Sequence, residues 1–201
     1  MLKHFIWDFD GTLFDTYPVL IDIFVDMLES EGQSVDRERV AELIAISAKT
    51  MYEAFAVSEA FITNYKQQKA TIERERSGPF PGIHELLETL SASGATHHIV
   101  THRGTSIHAL LAKHELTHHF QDILTAAHGF VRKPDPEAVT YLINRHQMAL
   151  DETIMIGDRE LDVLAGHRAG IATCLINERP NETVATYTVP TPEQLHERLL
   201  T

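Results

Sequence analysis

The sequence is poor in cysteine, in basic residues and in long hydrophobic runs. Its 201 residues include one cysteine, so no internal disulfide can form and a reducing compartment, the cytoplasm, is expected. Asp and Glu number 29 against 17 Lys and Arg, a formal charge of −12. This balance argues against nucleic acid or an anionic membrane as a partner, because both are bound by clustered basic residues. No run is long enough for a membrane span, and the acids from Asp8 onward do not fit a signal peptide.

The cysteine and the 13 histidines give no clear sign of a nucleophile or a metal site. Cys174 lies in an apolar run without an adjacent base, which favours a buried structural role. The histidine pairs 97–98 and 118–119 lack a cysteine or acid at ligand spacing, and adjacent strand residues point to opposite faces. A structural or solvated role is therefore favoured for the histidines as well.

Short apolar runs rich in β-branched residues predict five strands, each buried on both faces. Their predicted bounds are His4–Asp8, Thr96–Thr101, Asp122–Ala126, Thr153–Gly157 and Ile171–Ile176. Helical patterns alternate with the later strands, at Gly82–Ser93, Gly104–His114, Pro136–His146 and Glu160–Ala169. This alternation predicts an α/β fold with a Rossmann-like three-layer core, in which helices cover both faces of a parallel sheet.

The region between the first and second strands has a different pattern. From Tyr17 to about Arg76 no strand is evident, and apolar residues recur at helical spacing. The segment Ser77–Gly82 then marks the return to the core with its glycines and prolines. We therefore predict an all-helical insert over residues 17–77, between core segments 1–16 and 78–201.

The most informative segment runs from Phe5 to Thr16 and reads F-I-W-D-F-D-G-T-L-F-D-T. Asp8 and Asp10 are two residues apart, so on an extended strand they start on the same side of the chain. Gly11 then allows the chain to leave the strand with unusual backbone angles. Two carboxylates at the end of a buried strand need a partner such as Mg²⁺, and one of them could then act as a nucleophile on phosphorus.

Two further candidates lie after predicted strands or before predicted helices. Thr101 could bind a phosphate oxygen beside free backbone N–H groups, or it could be a helix N-cap. Lys133 precedes the helix start at Asp135-Pro136, where it could neutralise a nucleophile and a phosphate, or it could be solvated. The sequence of each segment alone leaves these alternatives open.

The last motif reads M-I-G-D-R-E-L-D and ends at Asp162. Asp158 stands at the end of a strand, and a helical turn would bring Asp162, four residues later, next to it. The pair could hold a cation, or Asp158 could be an N-cap and Asp162 a surface acid. The role of Arg103 is also left open by the sequence. Its side chain could clamp a substrate anion, point to solvent or pair with an acid of the insert.

Taken together, in their order and at their strand ends, these segments resemble the motifs of the haloacid-dehalogenase-like (HAD) hydrolases. Asp8 and Asp10 match the first motif, Thr101 the second, Lys133 the third, and Asp158 with Asp162 the fourth. The helical insert is similar to the cap of one subgroup, the relatives of phosphoglycolate phosphatase and β-phosphoglucomutase. The resemblance covers nearly the whole chain.

The resemblance implies an aspartyl-phosphate mechanism. Asp8 would be the nucleophile, and Asp10 would protonate the leaving oxygen and later take a proton from water. Mg²⁺ would be held by the Asp8 side chain, the Asp10 backbone carbonyl and Asp158, with Asp162 supporting these ligands rather than binding the metal directly. An acid at position 10 is absent from the dehalogenases that attack carbon, so a phosphate ester is the expected substrate.

The remaining site residues would bind the substrate. Thr101 and Lys133 would hold phosphate oxygens and spread the charge of the transition state, and Arg103 would contact the substrate. The expected activity is a Mg²⁺-dependent phosphatase acting on a small phosphorylated metabolite, in a monomer or homodimer. The alternative is a sugar-phosphate mutase, which the lack of a basic, glycine-rich segment in the insert makes less favoured.

Overall fold

A computed structural model describes residues 2–177 and 182–199, and a parallel sheet lies at its centre. In chain order the strands are β1 (His4–Trp7), β2 (Phe14–Asp15), β3 (Gly78–Pro79), β4 (Thr96–Val100), β5 (Phe120–Leu124), β6 (Thr153–Gly157), β7 (Ala172–Ile176) and β8 (Tyr187–Val189). Six of them form the main sheet in the order β5-β4-β1-β6-β7-β8, and all its neighbouring pairs are parallel. The short strands β2 and β3 pair separately.

Nine α-helices accompany these strands in the described residues. They are α1 (Tyr17–Ser30), α2 (Arg37–Ile46), α3 (Ala48–Ala54), α4 (Glu59–Arg76), α5 (Ile83–Ala92), α6 (Ser106–Lys113), α7 (Glu137–His146), α8 (Glu160–Arg168) and α9 (Leu195–Leu199). The predicted α/β fold with a parallel sheet is confirmed. None of the helices in the described part of the chain is both long and apolar enough to cross a membrane.

One predicted strand is displaced. The third strand was expected at Asp122–Ala126, but β5 begins at Phe120 and ends at Leu124. The side chain of Thr125 accepts a hydrogen bond from the Ala127 N–H (3.3 Å), which caps a 3₁₀ turn and ends the strand there. Strand β8 was not predicted, because three residues at the edge of a sheet carry little local pattern.

The chain divides into two compact units. Unit 1 holds the residues up to Phe14 and those from Pro79 onward, and unit 2 holds Asp15–Gly78. Unit 2 contains α1–α4 and corresponds in position to the insert predicted over 17–77. That it serves as a cap remains a prediction.

Unit 2 packs around an aromatic cluster centred on Phe24, which is fully buried. The Phe24 ring contacts four other rings at centroid distances of 5.4–6.2 Å, those of Tyr52, Phe55, Phe61 and Tyr65. The contact with Tyr52 is stacked and the other three are edge-to-face, and both arrangements stabilise a core beyond the burial of apolar area alone. Unit 2 therefore has a hydrophobic core of its own.

Strand β1 lies in the middle of unit 1, between β4 and β6. Phe5 and Trp7 pack into one hydrophobic cluster with α5 and α6, and Ile6 packs into another with α7. Successive strand residues point to opposite faces, so burial on both faces explains the continuous apolar run. The residues that follow β1 are thereby held at the carboxyl edge of the sheet.

Candidate active site

Three candidate site residues follow neighbouring strands at one edge of the main sheet. Asp8 follows β1, and its N–H donates to the Ile156 carbonyl (2.8 Å). Thr101 follows β4, and Asp158 follows β6. Parallel sheets bind ligands outside the carboxyl ends of their strands, so the residues lie where a site is expected.

Lys133 joins two acids of this edge. Its Nζ lies 2.6 Å from Asp8 Oδ1 and 2.6 Å from Asp162 Oδ1, and it donates to the Val100 carbonyl at 2.7 Å. The side chain is 1% exposed, so the alternative of a solvated lysine is wrong. Burial opposes its charge, but Asp162 and Asp8 together hold the pKa of Lys133 above its usual value. Lys133 therefore remains a cation.

Asp8 is buried, and its two carboxylate oxygens differ. Oδ1 accepts the hydrogen bond from Lys133, whereas Oδ2 is buried without a hydrogen-bond partner among the described residues. Burial raises the pKa of Asp8 to about 6, with Lys133 opposing the rise and Asp162 adding to it. A further positive charge at Oδ2 would therefore be favourable.

The acids of this edge fit a divalent cation. Asp8, Asp158 and Asp162 each offer a carboxylate oxygen, and the three oxygens lie within 4.8 Å of one another. Carboxylate oxygens are the ligands preferred by Mg²⁺, and the Asp8 Oδ2 atom has a free position for one. A supporting role was preferred for Asp162 over direct binding of the metal, and its carboxylate is one of the three that lie together here.

The position of Asp162 depends on a glycine that the sequence analysis did not single out. A Cβ atom added at Gly157 would overlap the Cβ, Cγ and Oδ2 atoms of Asp162. Asp162 also accepts a hydrogen bond from the Arg159 N–H (3.2 Å) at the start of α8. Only glycine at the end of β6 leaves room for this carboxylate. An apolar strand that ends in glycine immediately before an acid is the signal that could have indicated it.

Asp10 is paired with Arg103. The Arg103 Nε donates to Asp10 Oδ2 (3.2 Å), and its Nη2 donates to Asp10 Oδ1. The Arg103 side chain is 1% exposed, so it does not point to solvent. The pairing with Asp10, an acid of unit 1, was not among the three alternatives for Arg103. Contact of Arg103 with the substrate remains a prediction.

Thr101 closes a local turn. Its Oγ1 accepts a hydrogen bond from the Arg103 N–H (3.1 Å). The residue before α6 is Thr105, so the alternative of Thr101 as N-cap of that helix is wrong. The hydroxyl keeps its own hydrogen, and Thr101 can therefore still donate to a phosphate oxygen.

His102 was not among the predicted site residues. It lines a small pocket together with Thr101, Lys133 and Arg132. Burial, with Lys133 and Arg132 adding to its effect, lowers the pKa of His102 to about 3. Its Nε2 is buried without a hydrogen-bond partner in the described part of the chain. A neutral imidazole therefore stands next to the predicted phosphate-binding residues, and the local sequence, T-H-R-G, gives no signal for its orientation.

Several known proteins are similar to this chain. The profile of the haloacid dehalogenase-like hydrolases matches residues 5–176. The chain is 31% identical over 183 residues to a phosphoglycolate phosphatase of Agrobacterium fabrum, a match that covers 83% of this chain and 76% of that protein. It is 28% identical over 190 residues to an N-acetylmuramic acid 6-phosphate phosphatase of Pseudomonas aeruginosa, covering 87% and 81%.

A solved structure supports the same relationship. The crystal structure of a hydrolase from Streptococcus pneumoniae TIGR4 superposes with a TM-score of 0.71 at 31% identity, and the match covers 100% of this chain and 99% of that one. The resemblance read from the sequence motifs is thus confirmed. The chain belongs to the haloacid dehalogenase-like hydrolase family.

Proposed function

We propose that the protein is a Mg²⁺-dependent phosphatase that hydrolyses a small phosphorylated metabolite through an aspartyl-phosphate intermediate on Asp8. The observation that carries the proposal is the buried Asp8, which is hydrogen-bonded to Lys133 through one oxygen, while the other oxygen has no hydrogen-bond partner in residues 2–177 and 182–199. Relatives named as phosphatases of phosphoglycolate and of N-acetylmuramic acid 6-phosphate support this reaction class.

Charge compensation is the main task of such a site. A phosphate dianion repels a carboxylate nucleophile, so positive charge has to bring the two together. Lys133 supplies one such charge beside Asp8 (2.6 Å). The Asp8 and Asp158 side chains and the Asp10 backbone carbonyl would hold Mg²⁺, which when bound neutralises charge on the nucleophile and the phosphate. Thr101 and Lys133 would donate to the phosphate oxygens.

In the first step, an oxygen of the Asp8 carboxylate forms a bond to phosphorus as the bond to the leaving oxygen breaks. Asp10 gives its proton to that oxygen, and the alcohol leaves. In the second step, water attacks the phosphorus of the aspartyl phosphate and gives its proton to Asp10. The bond between phosphorus and Asp8 breaks, which releases inorganic phosphate and restores both acids.

Unit 2 is assigned the role of cap in this proposal. Specificity for the group beyond the phosphate would then reside in side chains of α1–α4. The names of the relatives suggest two esters that both carry a carboxylate, phosphoglycolate and N-acetylmuramic acid 6-phosphate. Small phosphate esters with a carboxylate are therefore the substrates to try first.

Phosphate release from a panel of esters tests the proposal. The panel contains these two esters, nucleoside monophosphates, hexose phosphates and β-glucose 1-phosphate, each with Mg²⁺ and with a chelator. We expect metal-dependent release by the wild type, and a loss of about 10⁴-fold or more in Asp8→Asn with the fold unchanged by circular dichroism. Conversion of β-glucose 1-phosphate to the 6-phosphate without release of phosphate would instead indicate the mutase. Retained turnover in Asp8→Asn would overturn the nucleophile assignment.

A further inference from the structure

Arg103 is fixed in place by contacts other than those to Asp10. Its guanidinium carbon lies 5.3 Å from the centre of the Phe9 ring, and its Nη1 lies 3.4 Å from Ser106 Oγ. Its backbone is tied as well, because its N–H donates to Thr101 Oγ1 (3.1 Å) and its carbonyl accepts from the Ala126 N–H (2.9 Å). The side chain is therefore a rigid support.

The two members of the pair differ in exposure. The Arg103 side chain is 1% exposed, whereas that of Asp10 is 19% exposed. Asp10 therefore retains an accessible side, while the guanidinium that holds it is covered. The burial of Arg103 therefore favours a role in holding Asp10 over direct contact with a substrate.

We propose that Arg103 is a positioning residue that fixes the carboxyl group of Asp10 for proton transfer and does not bind the substrate. The inference rests on the proposed phosphatase activity, in which Asp10 is the acid–base. It replaces the substrate contact expected for Arg103 with a contact to the proton-transferring group.

The geometry gives the physical reason. Two parallel N–H donors of one planar guanidinium fix both the place and the plane of a carboxyl group, which a lysine cannot do. A general acid has to lie within hydrogen-bond reach of the leaving oxygen, and a displacement of about 1 Å costs on the order of 100-fold in rate. The same donors stabilise the carboxylate that remains after the proton has left, which is the form that accepts the proton of the attacking water.

Two esters with different leaving groups separate this role from a substrate clamp. An alkyl phosphate such as phosphoglycolate needs a proton on its leaving oxygen, because an alkoxide is a poor leaving group. In p-nitrophenyl phosphate the leaving phenolate is stable, so proton donation contributes little. Single-turnover release of each alcohol reports the first step alone.

We expect Arg103→Met to slow the release of glycolate about 100-fold and the release of p-nitrophenol less than about 5-fold, with half-saturating substrate concentrations changed less than about 3-fold. Asp10→Asn should show the same selectivity. In the double variant, Arg103→Met should add less than about 2-fold, because the two residues act through one group. Arg103→Lys keeps the charge without the paired donors and should lose about 10-fold on the alkyl ester only.

Arg39→Met removes an exposed arginine of unit 2 that pairs with Glu42, and it should match the wild type on both esters. Urea unfolding shows whether Arg103→Met is folded. If it is not, the rates of Arg103→Lys on the two esters are compared instead. Equal losses on both esters, a raised half-saturating concentration with an unchanged plateau rate, or additive losses in the double variant would overturn the role of Arg103. A wild type inactive on both esters would instead overturn the proposed phosphatase.

Discussion

Two groups of buried polar side chains lie along the same sheet, and they differ in charge: one group is charged and the other is neutral. At the carboxyl edge, Lys133 forms ion pairs with Asp8 and with Asp162, and the three side chains of this edge cluster are at most 2% exposed. Within β4, His97 and His98 are fully buried. Burial lowers the pKa of His97 to about 4 and that of His98 to about 3, so both are neutral at pH 7.

The difference lies in what surrounds each group. The edge cluster retains charge because each charge has an opposite partner within hydrogen-bond distance. The His98 ring has no hydrogen-bond partner at either nitrogen in the described chain, and its ring centre lies 4.4 Å from that of His146. Without a partner, burial removes the charge instead. The charged cluster at the strand ends is the one to which the proposal assigns chemistry, whereas His97 and His98 are neutral members of the core.

The largest effect is expected from removing the central cation of the edge cluster. Lys133→Met leaves two buried carboxylates without their common partner, which should lower the free energy of unfolding by about 3–5 kcal/mol and abolish turnover. Urea unfolding in a chelating buffer measures it. The control Lys3→Met removes a lysine that is 57% exposed and pairs with Glu152, and should cost at most about 1 kcal/mol. Equal effects in the two variants would contradict the role given to burial.

The second prediction concerns the close packing of Asp162 against Gly157. Gly157→Ala places a methyl group about where Asp162 packs, so we expect a loss of about 3 kcal/mol in the free energy of unfolding, the upper end for overpacking. Gly104→Ala is the matched control, because a Cβ there meets no atom within 4 Å. Urea unfolding of both variants measures the difference. If Gly157→Ala were as stable as Gly104→Ala, the close contact with Asp162 would be wrong.

Binding of a metal ion by Asp8 and Asp158 should increase the free energy of unfolding. Mg²⁺ at 100 times its dissociation constant should raise the free energy of unfolding by about 2.7 kcal/mol, and Asp158→Asn should remove most of that gain. The exposed Asp151 supplies the control Asp151→Asn, which should respond like the wild type. Unfolding with Mg²⁺ and with a chelator measures the effect without reference to activity. If Asp158→Asn gained as much unfolding free energy from Mg²⁺ as the wild type, Asp158 would not be a ligand of the metal.

The histidines should make the fold sensitive to acid. Histidine has a pKa near 6.5 in the unfolded chain and about 3 at His98 in the fold. Below pH 6.5 the unfolded chain therefore binds a proton that the folded chain does not, and stability is lost as pH falls from 6.5 toward 3. Between pH 7 and pH 5 this amounts to roughly 2 kcal/mol for one histidine.

His98→Leu removes this contribution. The loss of unfolding free energy between pH 7 and pH 5 should be smaller than in the wild type by roughly 2 kcal/mol. His108 is exposed, so His108→Gln should keep the dependence of the wild type. Urea titrations at the two pH values measure both variants. An unchanged loss in His98→Leu would mean that His98 is not buried in its neutral form.

Much of the fold could be predicted because its signals are local. The β-branched runs placed β1, β4, β6 and β7 within one residue of their bounds. Because the strands were predicted to be parallel, the acids that follow β1 and β6 were expected at the same edge of the sheet. The start of β5 was missed because Phe120 follows a 3₁₀ turn that interrupts the helical pattern.

The contacts within the site were harder to predict because they join distant residues. Asp10 and Arg103 are 93 positions apart, and no local pattern specifies which acid a buried arginine meets. The close contact of Gly157 with Asp162 depends on how α8 packs against β6, which no local sequence pattern specifies. Roles for Asp8, Asp10, Thr101 and Lys133 remain predictions until tested in solution.

The most direct test of the account is to look for the covalent intermediate on Asp8. Turnover of phosphoglycolate with Mg²⁺ is quenched in acid, and peptides are examined by mass spectrometry before and after reduction with borohydride, which converts an acyl phosphate to an alcohol. We predict one phosphoryl group on Asp8 in the wild type and none in Asp8→Asn. Turnover without any phosphorylated chain, or with the phosphoryl group on another residue, would contradict the account.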